Sequence, residues 1–243
     1  MESGEQHGQI GTGSPSIEGQ QIIASLVPPG RTTNRVVGQR RLPAQERGQQ
    51  IVAGAIRFFA QHGFEGRTRE LAKELGIAQP LLYRYFPSKR ALIEAVVREV
   101  YINPIETDWA SLLTDRTRPI ADRLEEFYGR YAKETYRYEW IRIYMHSGLI
   151  GEELNRRYIA AVEEKILKVM CAELRHTFGL PDADATPISD LEIEHLWVLH
   201  GGLFYYAVRK FIYRARVMED FSAIVHRAVK AMVAGTRVAY EEK

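Results

Sequence analysis

The stretch "GIAQPLLYRYFPSKRAL", residues 76–92, decides how this chain is read. Gly76 and Pro87 punctuate it, because glycine tolerates the left-handed backbone that closes a helix and proline cannot continue one. Between them the spacing predicts one short helix, at about Gln79–Phe86. Ser88 is placed to cap another, carrying Leu92, Ile93, Val96, Val97 and Val100 and expected to end before Pro104. Upstream, Thr68 is the expected cap of a helix bearing Leu71, Ala72 and Leu75, with Gly76 closing it. Before that, Ile51, Val52, Ala55, Ile56 and Phe59 recur at helical spacing in a stripe that ends at Gly63.

A short helix, a turn containing glycine and a second short helix form the helix-turn-helix pattern, whose second helix can lie in a DNA major groove. Here that helix opens with Gln79, and glutamine pairs bidentately with adenine. Pro80 offers an apolar ring to a thymine methyl and is tolerated in a first helical turn. Tyr83 and Tyr85 carry hydroxyls that can donate to phosphates, Arg84 and Arg69 add charge nearby, and Lys89 adds charge at the next helix start. Such phosphate contacts set register and carry no base information. Composition alone leaves an alternative, a small helical subdomain with exposed aromatics.

Charge is distributed unevenly. The whole chain carries +2, yet residues 31–90 hold twelve Lys and Arg against four acids. That asymmetry marks a polyanion-facing segment followed by a nearly neutral remainder. Apolar content of 45% over 243 residues suffices for a sizeable core. Cys171 is the single cysteine, which excludes an intrachain disulfide or a cysteine-based zinc site and suits a reducing, cytoplasmic setting. A secretory signal is not expected, since the first Arg is Arg31. The longest apolar run, "LWVLHGGLFYYAV", is shorter than the roughly 20 residues a membrane span needs, so no membrane partner is expected. Residues 1–43 are rich in Gly, Gln, Ser and Pro and are expected to form a flexible tail. Its basic end, "RTTNRVVGQRR", is either a solvated linker or an arm on DNA.

Beyond Pro104 helical periodicity predicts helices at about 118–138, 140–149, 152–178, 189–213 and 219–240, broken at "DRTRP", "SGLIG", "GLPDADATP" and "ARVMED". Strand-like alternation is absent, so the expected class is all-α. The middle helices are dense in aromatics, as the pocket for a small apolar or aromatic effector would be. Tyr131, Trp140, Tyr144, His146, His200 and Phe204 are candidate pocket residues, with plain core as the alternative for each. In the last two helices Gly201-Gly202 permits close helix approach, and Phe221, Ile224, Val225, Ala228 and Met232 form a stripe. That stripe, with Phe204 and Phe211, suits either the protomer's own core or a dimer interface.

Residues 46–101 resemble the amino-terminal domain of the tetracycline-repressor (TetR) family of bacterial transcription regulators. The likeness rests on "AIRFFAQHGFEG", "TRELAKELGI" and "LLYRYFPSKRALIEAVV". It implies a three-helix DNA-binding domain at about 44–103, with its motif at about 67–86, and an effector-binding and dimerisation domain over 104–243. It further implies that Thr68, Tyr83, Tyr85 and Lys89 meet phosphates, that Gln79 and Pro80 approach bases, and that Leu82 and Phe86 are core. The last two long helices would build a four-helix dimer interface. The implied activity is that of a homodimeric repressor, released from operator DNA by a small effector and needing no cofactor, metal or catalytic residue. Three departures stand out. "FEGRTREL" is one residue shorter than usual and places Arg67 where a Thr is common. Ala78 replaces a capping Ser, removing a contact worth about 1 kcal/mol, and Leu81 adds apolar bulk at the groove.

Two other classes compete. Glu173–His176 and Glu192–His195 have the Glu-x-x-His spacing of di-iron bundles, although polar side chains facing solvent explain both pairs more simply. A helical interaction module with degenerate DNA binding is the other alternative.

Overall fold

The computed structural model describes residues 43–105, 107–149 and 153–241, so the expected tail lies outside the described residues. Those residues form twelve α-helices and no strand. The first four are α1 Ala44–His62, α2 Thr68–Glu74, α3 Gln79–Tyr85 and α4 Lys89–Val97. A π-helical turn, Arg98–Ile102, leads from α4 directly into α5, Asn103–Ile105. There follow α6 Trp109–Leu113, α7 Ile120–Thr135, α8 Tyr138–Leu149 and α9 Glu153–Val162. A second π turn, Glu163–Leu167, joins α9 to α10 Lys168–Phe178. The long helices α11 Asp190–Phe211 and α12 Phe221–Glu241 complete the order.

Three local expectations are corrected. Thr68 does not cap α2: the N-cap is Arg67, no side chain closes that end, and Thr68 is the first helical residue. Helical backbone does not stop before Pro104, because the wider π turn carries the chain to α5, with Pro104 inside it. Helix α6 escapes a periodicity search because it has five residues; Asp108 supports it by accepting a hydrogen bond from Ser111 N at 3.1 Å. In "SGLIG", Ser147–Leu149 still belong to α8, and the rest lies outside the described residues.

Other local signals behave as elementary geometry requires. Gly76 has φ +64°, its N–H bonds the Lys73 carbonyl and the Ile77 N–H bonds that of Ala72, the paired bonds of a Schellman closure. Ser88 accepts from Ala91 N at 3.0 Å at the start of α4. Ser189 and Glu192 form a reciprocal capping box at the start of α11.

Helices α1 and α8 pack together, which seats the first four helices on the rest. Arg142 donates to the Ala60 carbonyl near the end of α1, and the His146 ring lies against Gly63 and Phe64. Farther in, two buried carboxylates tie helices together. Glu173 on α10 binds Arg123 of α7 at 2.8 Å and Arg116 at 2.9 Å. Burial pushes the Glu173 carboxyl up, but the two guanidinium groups outweigh it and hold the group below its ordinary range. Glu192 takes Arg175 through two bonds of 2.7 Å.

Gly63 combines φ +68° with ψ 178°, a conformation essentially restricted to glycine, and an added Cβ would stand 3.1 Å from the His146 ring. Gly63→Ala is therefore expected to cost about 1–3 kcal/mol by thermal or denaturant unfolding. The control is Gly129→Ala in mid-α7, where a Cβ meets nothing within 4 Å; it should be stabilising by roughly 0.5–1 kcal/mol, the penalty a mid-helix glycine carries.

Candidate nucleic-acid interface

Helix α3 has only seven residues and no side-chain cap, so tertiary contacts must hold it. Leu82 is the buried anchor, 1% exposed. The opposite face presents Pro80, Tyr83 and Arg84, spaced so that they share one side of the helix. Leu81 and Tyr85 are half-buried, as is Lys89 in the first turn of α4, while Arg69 on α2 is exposed.

Thr68, Gln79 and Tyr83 form one hydrogen-bonded cluster. Gln79 Nε2 donates to Thr68 Oγ1 at 3.1 Å, and the Thr68 and Tyr83 hydroxyls share a bond of 2.9 Å. Thr68 is only 8% exposed, so its hydroxyl positions the two recognition-helix side chains from beneath. The apolar ring and two polar tips of α3 thus stand on a small fixed platform, an arrangement able to enter a groove.

Comparison with known proteins bears on this surface. Residues 51–96 match the family model described as bacterial regulatory proteins, tetR family. The amino-terminal domain belongs to the tetR family. The nucleoid occlusion factor SlmA of Haemophilus influenzae is 33% identical over 87 residues, which cover 35% of this chain and 37% of SlmA. The class A tetracycline repressor of Escherichia coli is 33% identical over 82 residues, covering 30% of this chain and 38% of the repressor. The chain thus spans little more than a third of the curated relatives it matches. A tetR-family regulator from Streptomyces coelicolor shares the fold over 83% of this chain and 86% of its own, with TM-score 0.57 and 19% identity. The tetR family consists of transcription regulators rather than enzymes.

Behind the tetR-family domain lies a cavity of about 60 Å³. Tyr131, Trp140, Tyr144, His200 and Phe204, five of the six expected pocket residues, line it. The sixth, His146, does not; it sits at the junction of α1 and α8 described above. Tyr158 and Trp197 also line the cavity and were missed, although both continue the aromatic enrichment that flags the region. Trp140 and Tyr144 stack at 5.1 Å, with Phe204 edge-on to both. Beside the cavity, Tyr101 packs at 5.5–5.6 Å from Trp140, Tyr144 and Tyr158.

The two Glu-x-x-His pairs are corrected as well. Glu173 and Glu192 are not surface residues: they are 2% and 5% exposed and belong to the buried arginine pairs. Among the described residues no group of three His, Cys, Asp or Glu side chains is placed to hold a metal. No helix among them is long and apolar enough to cross a membrane.

The stripe expected at an interface divides. Val225 and Met232 are 2% and 8% exposed and face the protomer's own core. Phe221 packs on Tyr136 and Tyr206, Phe204 joins the cavity wall, and Phe211, Ile224 and Ala228 are half-buried against the core. The outward apolar residues are Leu191, Val198 and Tyr205 on α11, seven residues apart, and Val238 on α12.

Burial lowers the His200 pKa from 6.5 to about 4. A group that binds its proton more weakly when folded removes stability as pH falls through the unfolded value. The folded state should therefore lose about 2 kcal/mol between neutral pH and about pH 5 through His200. Denaturant unfolding at the two pH values measures it, and His200→Gln should abolish that part of the pH dependence.

Proposed function

We propose that this chain is a homodimeric transcription regulator, acting in the cytoplasm, that reads operator DNA with α3 and yields or changes its grip when a small molecule enters the aromatic cavity. The observation that carries the reading is the α3 face. A base-competent Gln79 is held by Thr68 beside exposed Pro80, Tyr83 and Arg84, inside a tetR-family domain. Gln79 and Pro80 are assigned to bases. Tyr83, Arg84, Tyr85, Lys89 and Arg69 are assigned to phosphates, and the basic excess of residues 31–90 supplies the long-range attraction.

One such helix covers few base pairs, and a symmetric pair would place two in successive major grooves about 34–36 Å apart. The outward residues of α11 and α12 are the proposed dimer face, since an exposed apolar row on two adjacent helices needs cover. Two copies would bury Leu191, Val198, Tyr205 and Val238 in a four-helix contact.

Control by a ligand has a physical route in this fold. Tyr101 belongs to the π turn that continues α4, and its ring joins those of Trp140, Tyr144 and Tyr158. A ligand that separates these rings displaces the root of α4 and changes the spacing of the two recognition helices. It thereby shifts the population toward a state with different DNA affinity. Release from the operator, hence derepression, is the proposed direction.

A gel-shift titration against the chain's own upstream intergenic DNA, with competitor DNA at two salt concentrations, tests the reading. A specific shift of dimer size with steep salt dependence is expected. Gln79→Ala should cost roughly 1–3 kcal/mol at one base position, and Lys89→Ala should weaken all sequences alike. Equal losses from both changes on operator and random DNA would sink the base-reading assignment. Val198→Glu should yield a monomer in sedimentation equilibrium; a dimer that persists would move the interface elsewhere.

A further inference from the structure

The inner cavity has a composition that selects its occupant. Its ten lining residues are Tyr, Trp, Phe, Ile, Val, Gly and His, and none is Asp, Glu, Lys or Arg. His200, its one ionisable base, is held neutral at physiological pH by burial. A charged guest would lose its hydration and meet no counter-charge, which is strongly unfavourable.

Within this apolar cage two polar atoms lack partners. Trp140 Nε1 and His200 Nδ1 are buried, and neither forms a hydrogen bond within the protein. The residues that carry them are 2% and 6% exposed and both line the cavity. Buried polar atoms are nearly always satisfied, so each unpartnered one needs an explanation. The indole N–H can only donate, so it calls for an acceptor and repels a cation. Rings stacked and edge-on around the space fit a flat guest.

Size adds a condition. A void of about 150 Å³ admits benzene, whereas this one is about 60 Å³, so a ring enters only if a wall side chain turns. Tyr144 and Ile159 also line an outer cleft of about 660 Å³ between α8 and α9. Turning the half-buried Tyr144 joins the two spaces and gives a guest a path from the surface.

We infer that the cavity takes a neutral, flat, one- or two-ring aromatic compound that presents a hydrogen-bond-accepting oxygen to Trp140 Nε1. Quaternary ammonium compounds, which other aromatic cages hold by cation–π attraction, are disfavoured here by the unpartnered indole donor. The inference rests on the proposed regulator only for its biological use; the binding chemistry stands by itself.

The test uses full-length protein without DNA and ligand-observed NMR titrations of four single-ring probes. Acetophenone carries the neutral acceptor, benzoate an anion, benzyltrimethylammonium a cation, and isopropenylbenzene replaces the ketone oxygen by a methylene. Acetophenone should bind most tightly, about tenfold more tightly than isopropenylbenzene, the factor for one net hydrogen bond. Trp140→Phe, which keeps a ring and removes the N–H, should erase that tenfold preference. Tighter binding of either charged probe overturns the inference. So does acetophenone binding that ignores Trp140→Phe, or no acetophenone binding at all. DNA release is scored separately. Acetophenone bound through Trp140 but without effect on DNA would keep the ligand class and sink ligand control. A charged compound that releases DNA would do the reverse.

Discussion

Tyr101 is the residue on which the two parts of the fold depend. It lies in the π turn after α4 and is fully buried, and its hydroxyl lies 2.6 Å from Ser147 Oγ. Ser147 already donates to the Tyr144 carbonyl and accepts from Asn155, so Tyr101 is the donor, and the one hydroxyl proton and two acceptor sites of Ser147 are all in use. An unmade bond here would strand buried polar groups at about 1–3 kcal/mol each. The end of α4 is therefore fixed to α8 and α9 by a satisfied polar knot inside a ring cluster. Burial also raises the Tyr101 phenol far above its ordinary range, so the knot holds through the physiological pH range.

Around that joint, stiff and soft regions are segregated. The Arg123–Glu173–Arg116 and Arg175–Glu192 groups brace α7, α10 and α11. Removing one partner of such a buried pair costs several kcal/mol, because it leaves a charge without compensation. Among the described residues the cavity wall holds no ion pair, although its Tyr131 and Tyr158 hydroxyls share a hydrogen bond. Tyr144 and Phe204 meet edge to face, an interaction worth about 0.5–1.5 kcal/mol beyond area burial. A guest can move these rings far more cheaply than it can move the salt-bridged frame.

The helical class was legible because apolar spacing, Gly76, Pro87 and Ser88 act within a few residues of one another. The α3 surface was legible for the same reason. What depends on long-range packing was not. Thr68 reads as a cap, but it is the first residue of α2, and its burial against Gln79 and Tyr83 is set by how α2 and α3 cross. Glu173 and Glu192 read as solvent-facing because their arginine partners are not neighbours in sequence: Arg123 is fifty residues from Glu173. The stripe on α12 was correctly apolar, yet periodicity alone does not say whether a stripe faces the chain's own core or another copy. His146 shared the pocket's aromatic neighbourhood in sequence, but its position on α8 turns it toward Gly63.

The recognition helix itself is marginal, and this has a functional logic. Ala78 gives it no side-chain cap, and seven residues are too few for a helix to persist on propensity alone. Its persistence rests on Leu82, on the Schellman turn at Gly76 and on the Thr68 platform. None of the three uses the exposed Pro80 or Arg84, whereas Tyr83 shares a hydrogen bond with Thr68. Side chains with no structural duty can be exchanged without unfolding the domain, whereas the Thr68 hydroxyl and the left-handed Gly76 are tied to the fold. Under the proposed reading, a base-contacting surface built this way can change at the groove while the support beneath it stays fixed.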